Sequence, residues 1–121
     1  MAKLKVKKFG KPDEVMQFQH ARALVLDFNG TKIVKRIFEP GWVWSKHSNP
    51  DKTESCHATH FIHCISGVVH VRMDDGTEAD VGAGGVAWIP PGHDAWVVGE
   101  EPASVVDFQG AVDSAKGSAK K

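Results

Sequence analysis

The segment from residue 55 to residue 64 reads SCHATHFIHC and holds three histidines and two cysteines in ten positions. Imidazole nitrogens and thiolates are the protein ligands that zinc, iron, nickel and copper accept most readily. The same residue types also occur in ordinary strands, where a buried thiol packs as a small apolar side chain. The spacing of these five residues decides how many of them can reach one metal ion.

An extended conformation would divide this segment between two faces, because side chains alternate along a β-strand. His60 and Cys64 would share one face, and His63 would point to the other. Each residue advances a strand by about 3.3 Å, so His60 and Cys64 would stand about 13 Å apart, too far to bind one ion. We therefore expect Cys64 to be a core thiol and His63 to face solvent or a partner.

A turn ahead of this strand would bring a second ligand to His60. Residues three apart in a tight turn come within about 7 Å at Cα, so Cys56 or His57 can meet His60. Two ligands do not complete a site, since transition metals usually bind three or four nitrogen, sulfur or oxygen donors. His47 and His93 stand in other turn segments, and a fold that gathers several strand ends at one mouth would add them.

Short apolar runs separated by turn dipeptides surround these candidates. We predict one β-hairpin over residues 23–38 around Asn29-Gly30 and a second over residues 68–81 around Asp75-Gly76. Further strands are predicted at residues 86–89, 96–98 and 104–108. About eight to ten short strands with hardly any helical periodicity are typical of an all-β sandwich or barrel.

The chain is long enough for one domain, with 121 residues of which 41% are apolar. We assign residues 1–22 to a lead-in that includes a short helical turn between Pro12 and Phe18. Residues 23–110 form the predicted barrel. Residues 111–121 are small and polar, and we expect them to be a disordered tail.

Composition argues against several partners and locations. Charged residues make up 25% of the chain and cancel to a formal net charge of zero, so no basic surface for nucleic acid is indicated. No run of 18 apolar residues is present. Two cysteines without a disulfide framework are typical of a reducing compartment. We expect a cytoplasmic protein that binds neither nucleic acid nor a membrane.

Three stretches of this sequence resemble the cupin family: residues 40–42 (PGW), the histidine-rich segment that ends at Gly67, and residues 84–93 (GGVAWIPPGH). The resemblance covers about residues 35–108. The sequences PGWVWS, RMDDGTE and IPPGHDAWVVGEEP are similar to a bacterial subgroup of small, single-domain cupins (cupin type 2) without a settled activity. The resemblance implies a single antiparallel β-barrel of the double-stranded jelly-roll type.

The three-histidine, one-glutamate metal set of the family does not carry over to this chain. Counting back from Gly67, the position of the family's glutamate holds His60. Counting forward from Gly92, the position of the second motif's histidine holds Ala95, and His93 lies two residues earlier. The family's His-x-His pair is absent as such. Its role falls to the residues nearest in sequence, which are Cys56, His57 and His47.

The resemblance therefore implies a variant metal site. We expect three residues of a set of five to bind a divalent transition metal ion: His47, Cys56, His57, His60 and His93. His60 is the first choice because it fills a ligand position of the family pattern. A Cys56 ligand would favour zinc, iron, nickel or copper over magnesium or calcium. The alternative is a metal-free pocket whose histidines hydrogen-bond to each other or to a ligand.

The four tryptophans would pack the core or line the mouth of such a barrel. As lining residues they would favour a planar or apolar small molecule; they are Trp42, Trp44, Trp88 and Trp96. Two functions fit this description. One is a metal-dependent enzyme acting on a small organic molecule, with oxygenase, isomerase or cyclase chemistry. The other is a non-catalytic binding or sensing barrel. A third interpretation is a stable barrel whose activity lies with a partner. The family likeness also implies a homodimer, with His63 or His70 at its interface.

Overall fold

The computed structural model describes residues 3–113. These residues form nine strands and one short helix, and a further helical stretch begins at residue 109. In chain order they are β1 (Glu14–Phe18), β2 (Ala21–Phe28), β3 (Thr31–Phe38), α1 (Trp44–His47), β4 (His60–Ser66), β5 (Val68–Met73), β6 (Glu78–Gly82), β7 (Val86–Ile89), β8 (His93–Val97) and β9 (Ala103–Asp107).

The strands form two antiparallel sheets. The larger has six strands in the order β1-β2-β3-β9-β4-β7, and the smaller has three in the order β6-β5-β8. This is the all-β jelly-roll arrangement that the sequence predicted, with a strand number in the expected range. The described strands are not joined into one continuous hydrogen-bonded barrel. Isolated bridges from Val43 to Trp96 and from Cys56 to His93 instead tie the β3–β4 connection to β8.

Both predicted hairpins are confirmed. β2 and β3 pair from Ala21↔Phe38 to Phe28↔Thr31. The turn between them has positive φ at Asn29 (56°) and Gly30 (96°), which a type I′ turn requires. β5 and β6 pair from Val68↔Gly82 to Arg72↔Glu78 around the second turn.

The helical turn predicted between Pro12 and Phe18 is wrong. Residues 14–18 form β1, which pairs with β2 from Glu14↔Val25 to Phe18↔Ala21. The free edge of β2 offers hydrogen-bond partners to the backbone groups of alternate residues in this segment, and that pairing outweighs a weak local helix signal. The six-stranded sheet therefore begins within the predicted lead-in.

The hydrophobic core lies between the two sheets. Alternate residues of β4, β5, β8 and β9 supply most of it, and Cys64 is fully buried there, which confirms its prediction as a core thiol. His63, its neighbour along β4, is exposed. The inward face of β4 continues at its first residue to His60, so the strand that builds the core also carries a candidate ligand to the end of the barrel.

The end of the chain departs in part from the expected tail. Residues 109–113 are helical, and the rest of the tail predicted over residues 111–121 lies outside the described residues. Within residues 3–113, no helix has the length and apolar character needed to cross a membrane.

Candidate metal centre

Three of the five predicted ligands meet at one end of the molecule: Cys56, His60 and His93. Each offers one ligand atom, and the three atoms lie within 4.8 Å of one another. Cys56 Sγ is 3.9 Å from His60 Nε2. The rings of His60 and His93 are 5.5 Å apart between centroids and nearly perpendicular, at 71°. Cys56 is 7% exposed and His93 3% exposed, so the group is largely shielded from solvent.

Backbone pairing between two distant segments creates this group. The Cys56 N–H donates to the His93 carbonyl at 2.7 Å, and the Gly92 N–H donates to the Cys56 carbonyl at 2.7 Å. This bridge fixes Cys56 beside the first residue of β8. β4 begins at His60, whose partner in the register is Ile89, the last residue of β7. The ends of three segments thus converge.

Both histidines of the group are oriented through Nδ1. His60 Nδ1 lies 2.7 Å from Asp107 Oδ2, and His93 Nδ1 lies 2.8 Å from the carbonyl oxygen of Pro90. Both oxygens are acceptors, so each Nδ1 carries the proton and each Nε2 is the nitrogen left for another partner. Metal-binding histidines usually make this kind of second hydrogen bond, which fixes ring and tautomer.

Asp107, the carboxylate that orients His60, was missed by the reasoning from sequence. It is 4% exposed and ends β9, whose five residues are all buried. It also accepts hydrogen bonds from the N–H groups of Gln109 (3.0 Å) and Phe61 (3.4 Å). An acidic residue that continues the inward face of the apolar run ASVV was the available signal. Asp107 reaches His60 through the pairing of β9 with β4, and the two residues are more than 40 positions apart in the chain.

These contacts change the ionisation of all three side chains. Burial opposes ionisation of the Cys56 thiol, but the adjacent imidazoles of His60 and His93 lower its pKa from the ordinary 9.0 to about 6. Burial likewise disfavours the charged imidazole of His60, but its bonds to Asp107 and Cys56 raise its pKa from 6.5 to about 9. Burial would raise the pKa of Asp107, yet His60 holds it below its usual value. Near pH 7, a metal-free site therefore holds a thiolate, an imidazolium and a carboxylate.

The other two predicted ligands, His47 and His57, lie apart from this group. His47 ends α1, where its Nδ1 accepts the Val43 N–H at 3.0 Å and its ring meets that of His20 at 4.6 Å. Burial and the nearby His20 lower the pKa of His47. His57 is exposed. It follows Cys56 directly, and the bridge to β8 turns the Cys56 side chain, rather than that of His57, toward His60.

A cup opens beside the three ligand atoms. Its inner part has a volume of about 60 Å³ and is lined mostly by apolar side chains of both sheets. A wider mouth of about 240 Å³ reaches Cys56. Five residues line both parts, so the two are continuous: Arg36, Phe38, Trp42, Trp44 and His60. Ala95, which stands at the family's histidine position, lines the inner part.

The four tryptophans divide between the cup and the outer surface. Trp42 stacks on Phe38 with ring centroids 4.1 Å apart, and Trp44 stands beside it in the lining. Trp88 is 64% exposed and borders a different surface cavity. Trp96 packs against His70 on the outer face of β8, with ring centroids 4.8 Å apart. Strand alternation explains the outward position of Trp96, because its neighbours Ala95 and Val97 are both buried.

The residues of this group fit a transition metal ion. One thiolate and two imidazoles make a three-donor protein set, which leaves a fourth position for water or substrate, as in catalytic zinc sites. A tetrahedral ion holds sulfur and nitrogen ligands about 3.6 Å apart at the usual bond lengths. The observed 3.9 Å between Cys56 Sγ and His60 Nε2 is close to that value. A soft sulfur donor excludes magnesium and calcium as good fits.

Comparisons with known proteins establish the fold. No family model matches the sequence, and no curated protein matches it. Among solved structures, it is similar to an RmlC-like cupin from Shewanella frigidimarina, with a TM-score of 0.56, 20% identity, and coverage of 88% of this chain and 93% of that one. A protein of unknown function from Acidithiobacillus ferrooxidans gives a TM-score of 0.58 at 16% identity, covering 78% of this chain and 85% of that one.

A third similar structure is an oxalate decarboxylase. It gives a TM-score of 0.56 at 20% identity, and the match covers 78% of this chain but 27% of the decarboxylase chain. Identities this low establish the fold and leave the activity open. The chain has the cupin fold, as its sequence motifs predicted.

Proposed function

Starting from the cupin fold, we propose that this chain binds a divalent transition metal ion through Cys56, His60 and His93. The cup beside these residues would hold a small organic molecule. The observation that carries the proposal is the orientation of the two histidines. Each donates its Nδ1 proton to a fixed oxygen acceptor and leaves Nε2 for the ion. Zinc, iron, nickel and copper all accept this donor set.

A bound ion would supply an open coordination position that polarises an oxygen donor or activates water or dioxygen. The chain's own residues would prepare the site. Asp107 holds His60 in place and compensates positive charge, and apolar side chains such as Trp42 and Phe38 line most of the inner cup. Oxygenase, isomerase or cyclase chemistry on a small molecule fits such a site, and the likeness to an oxalate decarboxylase supports an enzymatic use of this fold.

A non-catalytic binding barrel is the second candidate. Asp107 is the one acidic residue in the described lining of the cup, and its oxygens are already engaged by His60 and two backbone N–H groups. No free carboxylate in that lining is thus available as a general base. This favours a cup that binds a metabolite and uses the ion to hold it.

The experiment that tests the metal proposal is metal analysis by mass spectrometry on protein purified without a tag or added metal. Four variants accompany the wild type: Cys56→Ser, His60→Ala, His93→Ala and, as a control, His57→Ala. The control removes an exposed histidine next to a proposed ligand. We expect near-stoichiometric metal in the wild type and His57→Ala, and at least a tenfold loss in the other three.

Absence of metal from the wild type, with no rise in melting temperature on adding zinc, iron(II), nickel or copper, would exclude the metal proposal. Metal bound equally by all four variants would mean that it binds elsewhere. Metal lost from the control alone would move the site to His57.

A further inference from the structure

We propose that Arg36 is an anion-binding residue of the cup and that the molecule taken up is a small carboxylate with an apolar body. This inference deepens the proposed function, on which it rests, by naming a class of ligand. It starts from the position of Arg36 in the sheet. Arg36 pairs with Ala23 on β2 and with Val105 on β9. Both partners are 1% exposed and face inward, so register points Arg36 into the cup.

The hydrogen bonding of Arg36 is incomplete. Its Nε is buried and has no hydrogen-bond partner within the described part of the chain. Arg36 forms an ion pair with Asp107, whose Oδ2 lies 3.6 Å from Nε, but that distance is beyond hydrogen-bonding range. That oxygen is already bonded to His60 at 2.7 Å. A buried donor without a partner is costly, and a ligand anion would supply the missing acceptor. Guanidinium groups suit carboxylates because they bind them through two parallel hydrogen bonds.

The charge of the loaded cup also favours an anion. Two negative groups, the Cys56 thiolate and Asp107, would face a divalent ion and the positive Arg36, and Arg22 borders the mouth as well. The balance is positive in a space with few polar contacts. A neutral ligand would leave this charge uncompensated, and a cation would add to it.

The rest of the lining favours a ligand whose body is apolar. Beyond Arg36 the inner cup is walled by aliphatic and aromatic side chains: Phe38, Trp42, Ile62, Val69, Val71, Ile89 and Val105. The Phe38–Trp42 stack offers flat faces to a planar group. An inner volume of about 60 Å³ and a mouth of about 240 Å³ limit the ligand to a small molecule. A carboxylate on Arg36 would lie beside Asp107 and His60, next to the proposed ion.

The test is isothermal titration calorimetry of zinc-loaded protein with matched pairs of probes. The pairs are benzoate and benzamide, phenylacetate and phenylacetamide, and hexanoate and hexanamide. We expect at least one carboxylate to bind the wild type tenfold or more tightly than its amide. Arg36→Gln should abolish that preference while keeping its zinc. The control Arg72→Gln should retain it, because Arg72 lies over Trp96 on the outer face of the smaller sheet.

Three results would overturn the inference: amides that bind wild type as well as carboxylates, no binding of any carboxylate, or a preference that persists in Arg36→Gln. If Arg36→Gln does not fold, Arg36→Lys decides, since a point charge without the planar fork should weaken the preference several-fold. The same titrations on metal-free protein separate the two proposals. A wild type that binds no zinc refutes the metal site. The role of Arg36 is judged separately, by whether the preference for carboxylates depends on Arg36 in the metal-free or the zinc-loaded protein.

Discussion

His60 is held between two negative groups, and Asp107 is the one that fixes its ring. A carboxylate behind a metal-binding histidine raises its basicity and orients it, and loss of such a partner typically costs 10- to 100-fold in metal affinity. We predict that Asp107→Asn weakens zinc affinity by about that factor, measured by competition with a chromophoric chelator. The exposed hairpin variant Asp75→Asn is the control. Equal affinity in both variants would show that Asp107 does not support the site.

The ionisation of Cys56 and His60 predicts how stability varies with pH in the metal-free protein. The pKa of His60 is raised from 6.5 to about 9, so His60 stabilises the fold below pH 6.5, and this contribution is lost as pH rises to 9. The pKa of Cys56 is lowered from 9.0 to about 6, so Cys56 stabilises the fold above pH 9, and this contribution is lost as pH falls to 6. Between pH 6.5 and 9 the folded state carries one proton on His60 and the unfolded state carries one on Cys56. The free energy of unfolding should therefore be nearly independent of pH in this range.

Removing the thiol separates the two contributions. In Cys56→Ser, Asp107 still raises the pKa of His60, although the contribution of the thiol is gone. From pH 6.5 up to that reduced pKa the folded state alone binds a proton, so the free energy of unfolding should fall as pH rises, with a slope approaching about 1.4 kcal/mol per pH unit. Urea unfolding in the presence of a chelator measures both slopes. A flat profile for the variant, or a steep one for the wild type, would contradict the ionisation described for the pair.

At the residue scale the sequence identified candidates but could not choose among them. Cys56, His60 and His93 were all in the predicted set, yet His47 and His57 were equally consistent with local spacing. The choice depends on the bridge between Cys56 and β8, a contact between segments far apart in the chain. Arg36 and Asp107 were missed for the same reason, because pairing between strands far apart in the sequence places each of them at the site.

Among the connections between elements, the turn from β4 to β5 is the most restricted. Gly67 has φ of 72°, and a Cβ there would meet the Pro102 carbonyl oxygen and come within 2.6 Å of Ala103 Cα. Gly84 has a similar φ of 84° but open space around it. We predict that Gly67→Ala lowers the free energy of unfolding by about 3 kcal/mol or more, and Gly84→Ala by about 1 kcal/mol.

Urea unfolding of both glycine variants measures this difference. Since the positive φ is common to the two positions, the excess loss in Gly67→Ala reports the close approach of β4–β5 to the start of β9. Equal losses would mean that the backbone at Gly67 moves away from Ala103 without cost.

Elements with strong local signals were predictable. Asn29-Gly30 and Asp75-Gly76 carry the conformational preferences of tight turns, and alternating residues on either side fix the register. β1 was not predictable in this way. Its residues 14–18 are all exposed, so no buried face imposes an alternating pattern, and its conformation is set by the edge of β2.

At the scale of the whole molecule, the outer face of the larger sheet carries exposed apolar side chains along its edge strand β7. Val86 is 66% exposed and Trp88 64%, and they pair across the sheet with His63 and Phe61. Ile65 on the same face of β4 is 46% exposed. Apolar clusters of this kind mark interaction surfaces. The homodimer implied by the family likeness remains a prediction, and we expect it to use this face.

Sedimentation velocity tests the dimer. We predict that the wild type sediments as a dimer and that Trp88→Glu sediments as a folded monomer, because a buried, unpaired carboxylate would oppose association. Val98→Glu, at a residue that is 42% exposed after β8, is the control. A monomeric wild type would refute the prediction, as would a Trp88→Glu variant that remains dimeric.

Motif likeness allowed the overall architecture to be predicted, because the short apolar strands and their Gly and Pro corners resemble the pattern of the cupin fold. The same likeness did not predict the chemistry of the site, since two of the family's ligand positions hold different residues here, His60 and Ala95. The activity of such a fold depends on the side chains gathered at its mouth.

X-ray absorption spectroscopy at the edge of the bound metal identifies the ligand atoms of the proposed site. On wild-type protein loaded with one equivalent of zinc, we expect a shell with one sulfur at about 2.3 Å and two imidazole nitrogens at about 2.0–2.1 Å. Cys56→Ser should lose the sulfur signal, and His57→Ala should leave the spectrum unchanged. A wild-type shell without sulfur, or one made of oxygen donors alone, would contradict a metal centre built from Cys56, His60 and His93.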